Sequence, residues 1–197
     1  TDTNEPIDPL PFYKDKIVDN IAPRATRIMV YGGVNASIPQ SSLSTPITLS
    51  PQQLSETPIL AWGRISTAIS ANDYMNGTTN NYGVRYVRLY VDDQLVSSSD
   101  VDRFSFDENR LINSWTDYAE QRRSGRWYMR SAIAENNELR MLRADKQRGW
   151  VTIDEERDYH FRYELEDLYG NITVYRFVVR GQRMDLPLRM PNYFYRM

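Results

Sequence analysis

The stretch DYHFRYELEDLYGNITVYRFVVRG, residues 158–181, decides the fold class. In its first half, apolar residues alternate with polar ones at the two-residue period of a half-buried strand. Residues 167–171 have turn chemistry, and 172–179 form a second run rich in β-branched and aromatic residues. The stretch therefore predicts an antiparallel hairpin that turns Tyr159, Phe161, Tyr163 and Leu165 toward a hydrophobic core.

Similar short patterns recur on the N-terminal side of this hairpin. RATRIMVY (24–31) and ILAWGRISTAIS (59–70) each predict a strand, and 83–91 predicts a strand that turns at Asp92-Asp93 and returns through Leu95 and Val96. Three shorter strands are expected in RWYMRS, ELRML and GWVTI. The Ser-, Thr- and Pro-rich residues 32–58 predict a long loop, with a turn of helix as an alternative at SPQQL (50–54).

One segment has a helical period instead. Leu111, Trp115 and Tyr118 are spaced i, i+4, i+7, and Asp107 stands where an N-cap would be. This spacing predicts a single helix over about residues 107–122.

Short strands with one inserted helix are typical of an immunoglobulin-like antiparallel β-sandwich. A parallel α/β fold is disfavoured because helices do not alternate with the strands. The Pro-punctuated residues 1–22 are interpreted as an extended arm, 23–181 as the sandwich, and 182–197 as a tail.

The composition limits the possible functions. A net charge of −2 gives no support to a nucleic-acid partner. With no cysteine, the chain has no disulfide, thiolate zinc site or cysteine nucleophile. No run approaches the roughly 20 apolar residues of a membrane-spanning helix. The 21 Arg against 3 Lys predict cross-strand contacts between guanidinium groups and carboxylates or aromatic rings.

No catalytic constellation can be assembled from the residue types. His160 is the only histidine, it lies among charged residues of a predicted strand, and no G-x-S-x-G motif accompanies it. The local acidic clusters lack EF-hand spacing and are interpreted as turns and helix caps. We therefore predict no catalytic residue, no metal ligand and no cofactor in this chain.

QRRSGRWYMR, residues 121–130, is the most distinctive surface candidate. Arginines interleaved with aromatic residues bind glycans or nucleic acids in many proteins, and the binding candidates here are Arg126, Trp127, Tyr128 and Arg130. The alternative is a helix end leading into a strand whose aromatic residues face the core. Trp62 and Trp150 are further aromatic candidates under the same alternative.

The opening TDTNEPIDPLPFY resembles the segment that follows the second zinc motif in lysostaphin-like zinc metalloendopeptidases. The matching residues are Thr3, Pro6, Ile7, Pro9 and Leu10, with Asp8 where the family usually has Asn. RFSFDENRLIN (103–113) and LEDLYGN (165–171) are similar to segments of the accessory β-domain that a subset of these enzymes carries. The resemblance extends over about residues 1–181 and is poor at 32–58.

This resemblance implies a non-catalytic accessory domain of an exported enzyme that acts on peptidoglycan. The family binds zinc through H-x-x-x-D and H-x-H motifs, which a chain with one histidine cannot contain. We therefore expect zinc only in a catalytic domain that precedes Thr1 in the same polypeptide, and a periplasmic or cell-envelope location. The implied partners are that catalytic domain and peptidoglycan or another glycan. The expected interdomain contacts are the exposed aromatics Phe12, Tyr13, Tyr193, Phe194 and Tyr195.

A second hypothesis is a stand-alone glycan- or protein-binding β-sandwich of a surface or secreted protein. It is compatible with the same sequence features, because a fold does not by itself determine a function.

Overall fold

The computed structural model describes residues 5–39 and 47–183, and it confirms a mainly β chain folded as a two-layer sandwich with a small helical insertion. The strands are β1 Arg24–Gly32, β2 Ile47–Leu49, β3 Ile59–Ala61, β4 Gly63–Asn72, β5 Tyr86–Val91, β6 Gln94–Asp100, β7 Met129–Arg130, β8 Leu142–Ala144, β9 Val151–Ile153, β10 Asp158–Glu166 and β11 Ile172–Gly181. The helices are α1 Pro51–Glu56, α2 Ile112–Trp115 and α3 Tyr118–Ser124, with 3-10 turns at Leu10–Tyr13 and Asn109–Leu111.

The two sheets divide the strands unequally. The first has the order β2-β1-β4-β7, with β9 also paired to β4, and the second has the order β3-β11-β10-β5-β6-β8. The pairs are antiparallel, as predicted, except that β3 runs parallel to β11. The main core lies between the sheets and includes Ile28, Ile65, Ile69, Leu89, Phe161 and Val179.

The hairpin of β10 and β11 is confirmed residue by residue. It pairs Asp158 with Arg180 at one end and Glu166 with Ile172 at the other. Tyr159, Phe161, Tyr163 and Leu165 are all buried, as their alternation predicted. The Phe161 and Phe177 rings stack 5.0 Å apart, which extends the apolar face across both strands.

The predicted strand 59–70 is wrong as one element, because it changes sheets in the middle. Ile59–Ala61 pairs with β11 of the second sheet, whereas Gly63–Asn72 pairs with β1 of the first. Gly63 allows the change with a φ of 86°, and a Cβ there would meet the Asn35 carbonyl oxygen at 3.0 Å.

The β5–β6 hairpin turns at the predicted residues. Asp92 and Asp93 have φ values of 48° and 62°, which is the backbone of a type I′ turn. The first strand begins at Tyr86, three residues later than the predicted start at Gly83.

The predicted continuous helix 107–122 is also wrong. Thr116 is extended, with ψ at 160°, and forms a bridge with Met129 that interrupts the helical hydrogen bonds between α2 and α3. Asp117 then caps α3 by accepting from the Glu120 N–H at 3.0 Å. Because of this break, Trp115 is buried whereas Tyr118 is 50% exposed.

The predicted arginine contacts line the second sheet and its edge. Arg180 makes a two-pronged ion pair with its cross-strand partner Asp158 at 2.6 and 2.9 Å. Arg162 lies 4.0 Å from the ring centre of its cross-strand partner Tyr90. Both contacts are of the cross-strand kind that the arginine content predicted.

No helix within residues 5–39 and 47–183 is long and apolar enough to cross a membrane.

We predict that Trp115→Ala lowers the free energy of unfolding by ~3–5 kcal/mol. Trp115 packs with Ile133, Leu139, Met141 and Leu142, so the truncation opens a cavity in this second cluster. Chemical denaturation would measure the loss. The matched control is Trp127→Ala, at a half-exposed side chain, which we expect to change stability by less than about 1 kcal/mol. Equal stabilities for the two variants would contradict the prediction.

A second prediction concerns the two buried hydroxyls that join the sheets, Thr67 Oγ1 and Tyr163 Oη, 2.6 Å apart. Tyr163→Phe leaves the Thr67 hydroxyl without a partner in the core, so we expect a loss of roughly 1–3 kcal/mol. The double variant Thr67→Val/Tyr163→Phe removes both polar groups and should cost less than the two single changes added together. Strict additivity in denaturation experiments would show that the pair is not coupled.

Candidate functional site

The arginine–aromatic segment 121–130 does not form one surface. Trp127 is 50% exposed and Arg126 is exposed, but Tyr128 is only 1% exposed and belongs to a small core with Met29 and Ala68. Tyr128 therefore cannot contact a ligand on this surface, which corrects its place among the binding candidates. Of the four predicted binding candidates, Arg126 and Trp127 are the exposed ones.

Arg130 is committed to a local network. Its guanidinium lies 3.5 Å from Asp117 and 4.8 Å from the centre of the Tyr31 ring, and the Tyr31 hydroxyl donates to Asp117 at 2.8 Å. Burial and the hydrogen bond to Asp117 raise the pKa of Tyr31, so the phenol stays protonated. The arrangement fixes the break between α2 and α3 and favours the structural interpretation of Arg130.

The other two tryptophan candidates are half-buried. Trp62 lies where the chain crosses between the sheets, and its backbone pairs with Ser37 in both directions at 2.8 Å. Trp150 is covered on one face by Arg64, whose guanidinium lies 4.8 Å from the ring centre. Both are less exposed than Trp127, which is 50% exposed.

The N-terminal arm is held against the sandwich. Asp8 accepts from the Arg85 guanidinium at 3.1 Å, and its backbone N–H donates to the Asp102 carbonyl at 2.8 Å. The Lys14 ammonium donates to the Leu168 carbonyl at 3.0 Å. Phe12 and Tyr13 nevertheless remain 71% and 51% exposed. The predicted packing aromatics Tyr193, Phe194 and Tyr195 lie outside the described residues.

Arg140 joins the arm to the helical insertion. Its guanidinium donates to Glu5 at 2.5 Å and to Glu108 at 2.9 Å. Glu108 also accepts a hydrogen bond from the Ser105 N–H at 2.8 Å. Ser105 and Glu108, rather than the predicted N-cap Asp107, therefore organise the start of the insertion.

His160 and the acidic clusters singled out from the sequence have structural surroundings. The His160 side chain is exposed, and the backbone N–H of His160 donates to the Asp92 carboxylate at 2.9 Å. Asp92 also binds Arg157 at 2.7 Å, and Asp93 binds Arg162 at 3.3 Å. These contacts are those of turns and ion pairs, as the sequence reasoning predicted.

Sequence reasoning missed a different group of carboxylates. The group consists of Asp19, Asp73 and Asp167, which are 8%, 6% and 1% exposed. One carboxylate oxygen from each residue lies within 4.8 Å of the other two. Asp19 lies near the end of the arm, before β1, whereas Asp73 follows β4 and Asp167 follows β10. The three residues are far apart in the chain, so no spacing motif marks them.

The carboxylates of this cluster differ in their hydrogen bonds. Asp167 accepts from the N–H groups of Tyr169 and Asn171, each at 2.8 Å, and from the Asn171 side chain at 2.7 Å. The Asn171 side-chain amide also donates to the Asp19 carbonyl at 3.2 Å, which ties the turn to the arm. Asp19 Oδ2 and Asp73 Oδ1 are buried and accept no hydrogen bond from the described residues. The pKa of Asp73 is raised to about 6. Burial is the largest cause, a backbone hydrogen bond from Tyr74 opposes it, and the charges of Asp167 and Asp19 add to the rise.

The cavity between the two sheets is too small for an organic ligand. It has a volume of about 20 Å³, is lined by Trp115, Met129 and Tyr163 among others, and has room for about one water molecule. Two larger pockets, of about 320 and 350 Å³, are both lined by the exposed residues Arg140 and Arg143 among others.

The sequence matches no protein-family model, no curated protein and no solved structure. The structure defines the chain as a β-sandwich domain, and its function is inferred from its own surfaces and buried charges.

We predict that Glu108→Gln reduces the loss of stability on acidification between about pH 4.5 and pH 2. The side-chain hydrogen bond from Arg140, followed by the Ser105 N–H, lowers the pKa of Glu108 from 4.5 to about 2. A lowered carboxyl pKa stabilises the fold above the ordinary pKa, and this contribution disappears as the pH falls through the folded-state value. Melting temperatures across this pH range would test it.

The control for this pH series is Glu135→Gln, at an exposed glutamate of the neighbouring loop. It should follow the acid profile of the parent protein. Identical profiles for Glu108→Gln and the parent would contradict the prediction.

Proposed function

We propose that the chain is a non-catalytic accessory β-sandwich of an exported peptidoglycan zinc endopeptidase, where it positions the catalytic domain. The observation that carries this proposal is the N-terminal arm, which is fixed to the sandwich by its polar groups while its aromatic side chains point outward. The single histidine supports a non-catalytic role, because a catalytic zinc site takes three protein ligands, commonly including two or three histidines.

The polar contacts of the arm fix its direction. Asp8 is bound both through its side chain to Arg85 and through its backbone to Asp102, and Ile7 forms a bridge with Arg103. Arg85 is only 13% exposed in its side chain, so this ion pair is partly shielded from solvent. A domain joined ahead of the arm would leave the sandwich at a defined place instead of swinging on a free linker.

The exposed apolar residues of the arm provide a contact surface for such a domain. Phe12, Tyr13 and Val18 are 71%, 51% and 76% exposed within one short segment. Neighbouring exposed aromatics are typical of interaction sites more than of a solvated surface. Under the proposal, the catalytic domain covers Phe12 and Tyr13.

The first test is the mass and N-terminal sequence of the protein as its native cell exports it. We expect a larger polypeptide with additional histidines on the N-terminal side of Thr1. A mature exported protein that begins at Thr1 would overturn the proposal.

The second test uses that larger polypeptide with Phe12→Ser and Tyr13→Ser combined. We expect its rate of peptidoglycan hydrolysis to change at least threefold, because the two domains lose their fixed orientation. The melting temperature of the β-sandwich should stay within about 2 °C, since both side chains are largely exposed in this domain.

The matched control is Val34→Ser. Val34 is 88% exposed and follows β1, at the opposite end of that strand from the arm. Unchanged hydrolysis in the Phe12/Tyr13 variant, or an equal change in the control, would argue against docking through the arm.

One observation favours the stand-alone binding module as a second candidate. Trp127 is half-exposed beside the exposed Arg126, and an accessible indole with a neighbouring cation is a frequent glycan-binding pair. A glycan screen on the intact chain would test this function. Binding that disappears in Trp127→Ala but not in Val34→Ser would support it, and an absence of binding would exclude it for the glycans tested.

A further inference from the structure

We propose that Asp19, Asp73 and Asp167 bind one calcium ion at the end of the sandwich. The inference goes beyond the proposed function and does not depend on it, because it concerns only residues within this chain.

The negative charge of the three buried carboxylates is not compensated by a basic side chain of the described residues. Within residues 5–39 and 47–183, none of the three carboxylates forms an ion pair with a lysine or arginine. The Lys14 ammonium is engaged with the Leu168 carbonyl instead. Buried carboxylates in mutual contact are unfavourable unless a cation or a proton compensates them.

Two carboxylate oxygens of the cluster have no hydrogen-bond donor within the described part of the chain. Asp19 Oδ2 and Asp73 Oδ1 belong to side chains more than nine-tenths buried, and both lack a hydrogen-bond donor among the described residues. Buried acceptors are nearly always satisfied, so two unsatisfied anionic oxygens in one cluster indicate a ligand. The Tyr169 hydroxyl is a third buried polar atom without a hydrogen-bond partner among the described residues.

The donor chemistry and the spacing select the ion. The ligand set is all oxygen, with neither histidine nor cysteine, which suits a hard cation. Calcium binds oxygen at about 2.3–2.6 Å, so ligands on opposite sides of the ion are about 4.6–5.2 Å apart. Three oxygens that all lie within 4.8 Å of one another are close enough to share one such ion. Magnesium dehydrates reluctantly and usually keeps several waters, so a buried set of protein carboxylates favours calcium.

A bound calcium ion would join three segments that come from distant parts of the chain. These are the end of the arm at Asp19, the loop after β4 at Asp73 and the β10–β11 turn at Asp167. The chain should therefore be more stable with calcium than with a chelator, because the ligands converge only in the folded state.

Equilibrium dialysis of the intact chain with calcium, and thermal melting in calcium against EDTA, test the proposal together. We expect one calcium ion per chain, and a melting temperature higher by roughly 5–10 °C when calcium is 100-fold above its dissociation constant. No bound calcium on the folded chain, or an equal response to magnesium at the same concentration, would overturn the assignment.

Two variants locate the site, Asp19→Asn and Asp73→Asn. Each substitution removes one charge at nearly constant size. We expect each variant to bind calcium at least tenfold more weakly than the parent protein. In EDTA, its melting temperature should be no lower than that of the parent protein. Asp167 is avoided because its carboxylate also organises the β10–β11 turn.

The matched control is Asp93→Asn, at a carboxylate whose side chain is 90% exposed in the β5–β6 turn. It should retain the full calcium response. Calcium affinity that survives in both cluster variants, or that is lost equally in the control, would place the ion elsewhere and overturn the proposal.

Discussion

The contact between β4 and β10 across the sandwich is the constraint on which the other elements depend. Thr67 and Tyr163 join their hydroxyl groups at 2.6 Å, and the two residues are 0% and 2% exposed. Both hydroxyls lie in the core, where a hydrogen bond is stronger than in water, so the pair favours one position of the first sheet over the second. Because β4 pairs with β1, β7 and β9, while β10 pairs with β5 and β11, this register extends to most strands of both sheets.

The same contact explains why aspartates from distant parts of the chain meet. Asp73 lies six residues beyond Thr67, and Asp167 lies four residues beyond Tyr163, so both strands deliver a carboxylate to the same end of the sandwich. Asp19 reaches that end because β1 begins with Arg24 paired to Asn72. The polar cluster is thus a geometric consequence of the core register, although its members show no common pattern in the sequence.

The features that depend on local periodicity were predicted correctly from the sequence. The predictions were wrong where tertiary contacts determine the local structure. The β10–β11 hairpin and the arginine contacts along its strands follow from alternation and residue type. The break at Thr116 depends on a backbone bridge to Met129, and the change of sheets at Gly63 depends on the close approach of Asn35. Tyr128 and Trp127 are neighbours of similar character, and only the packing of Tyr128 against Met29 and Ala68 distinguishes the buried ring from the exposed one.

The N-terminal arm takes part in both proposals, although neither proposal depends on the other. Its early residues carry the exposed Phe12 and Tyr13, and its later residues carry Asp19, whose carbonyl accepts from Asn171 in the turn that Asp167 organises. A cation held by Asp19 would stiffen the arm at its junction with β1, whereas Asp8 and Arg85 hold the other end. The aromatic surface would then lie on a segment that is held at both ends. The conformational entropy of this segment would already be lost before a partner binds, which favours docking. Removal of the cation would loosen one of these clamps and leave the aromatic residues themselves unchanged, so a calcium effect on docking would act through the mobility of the arm.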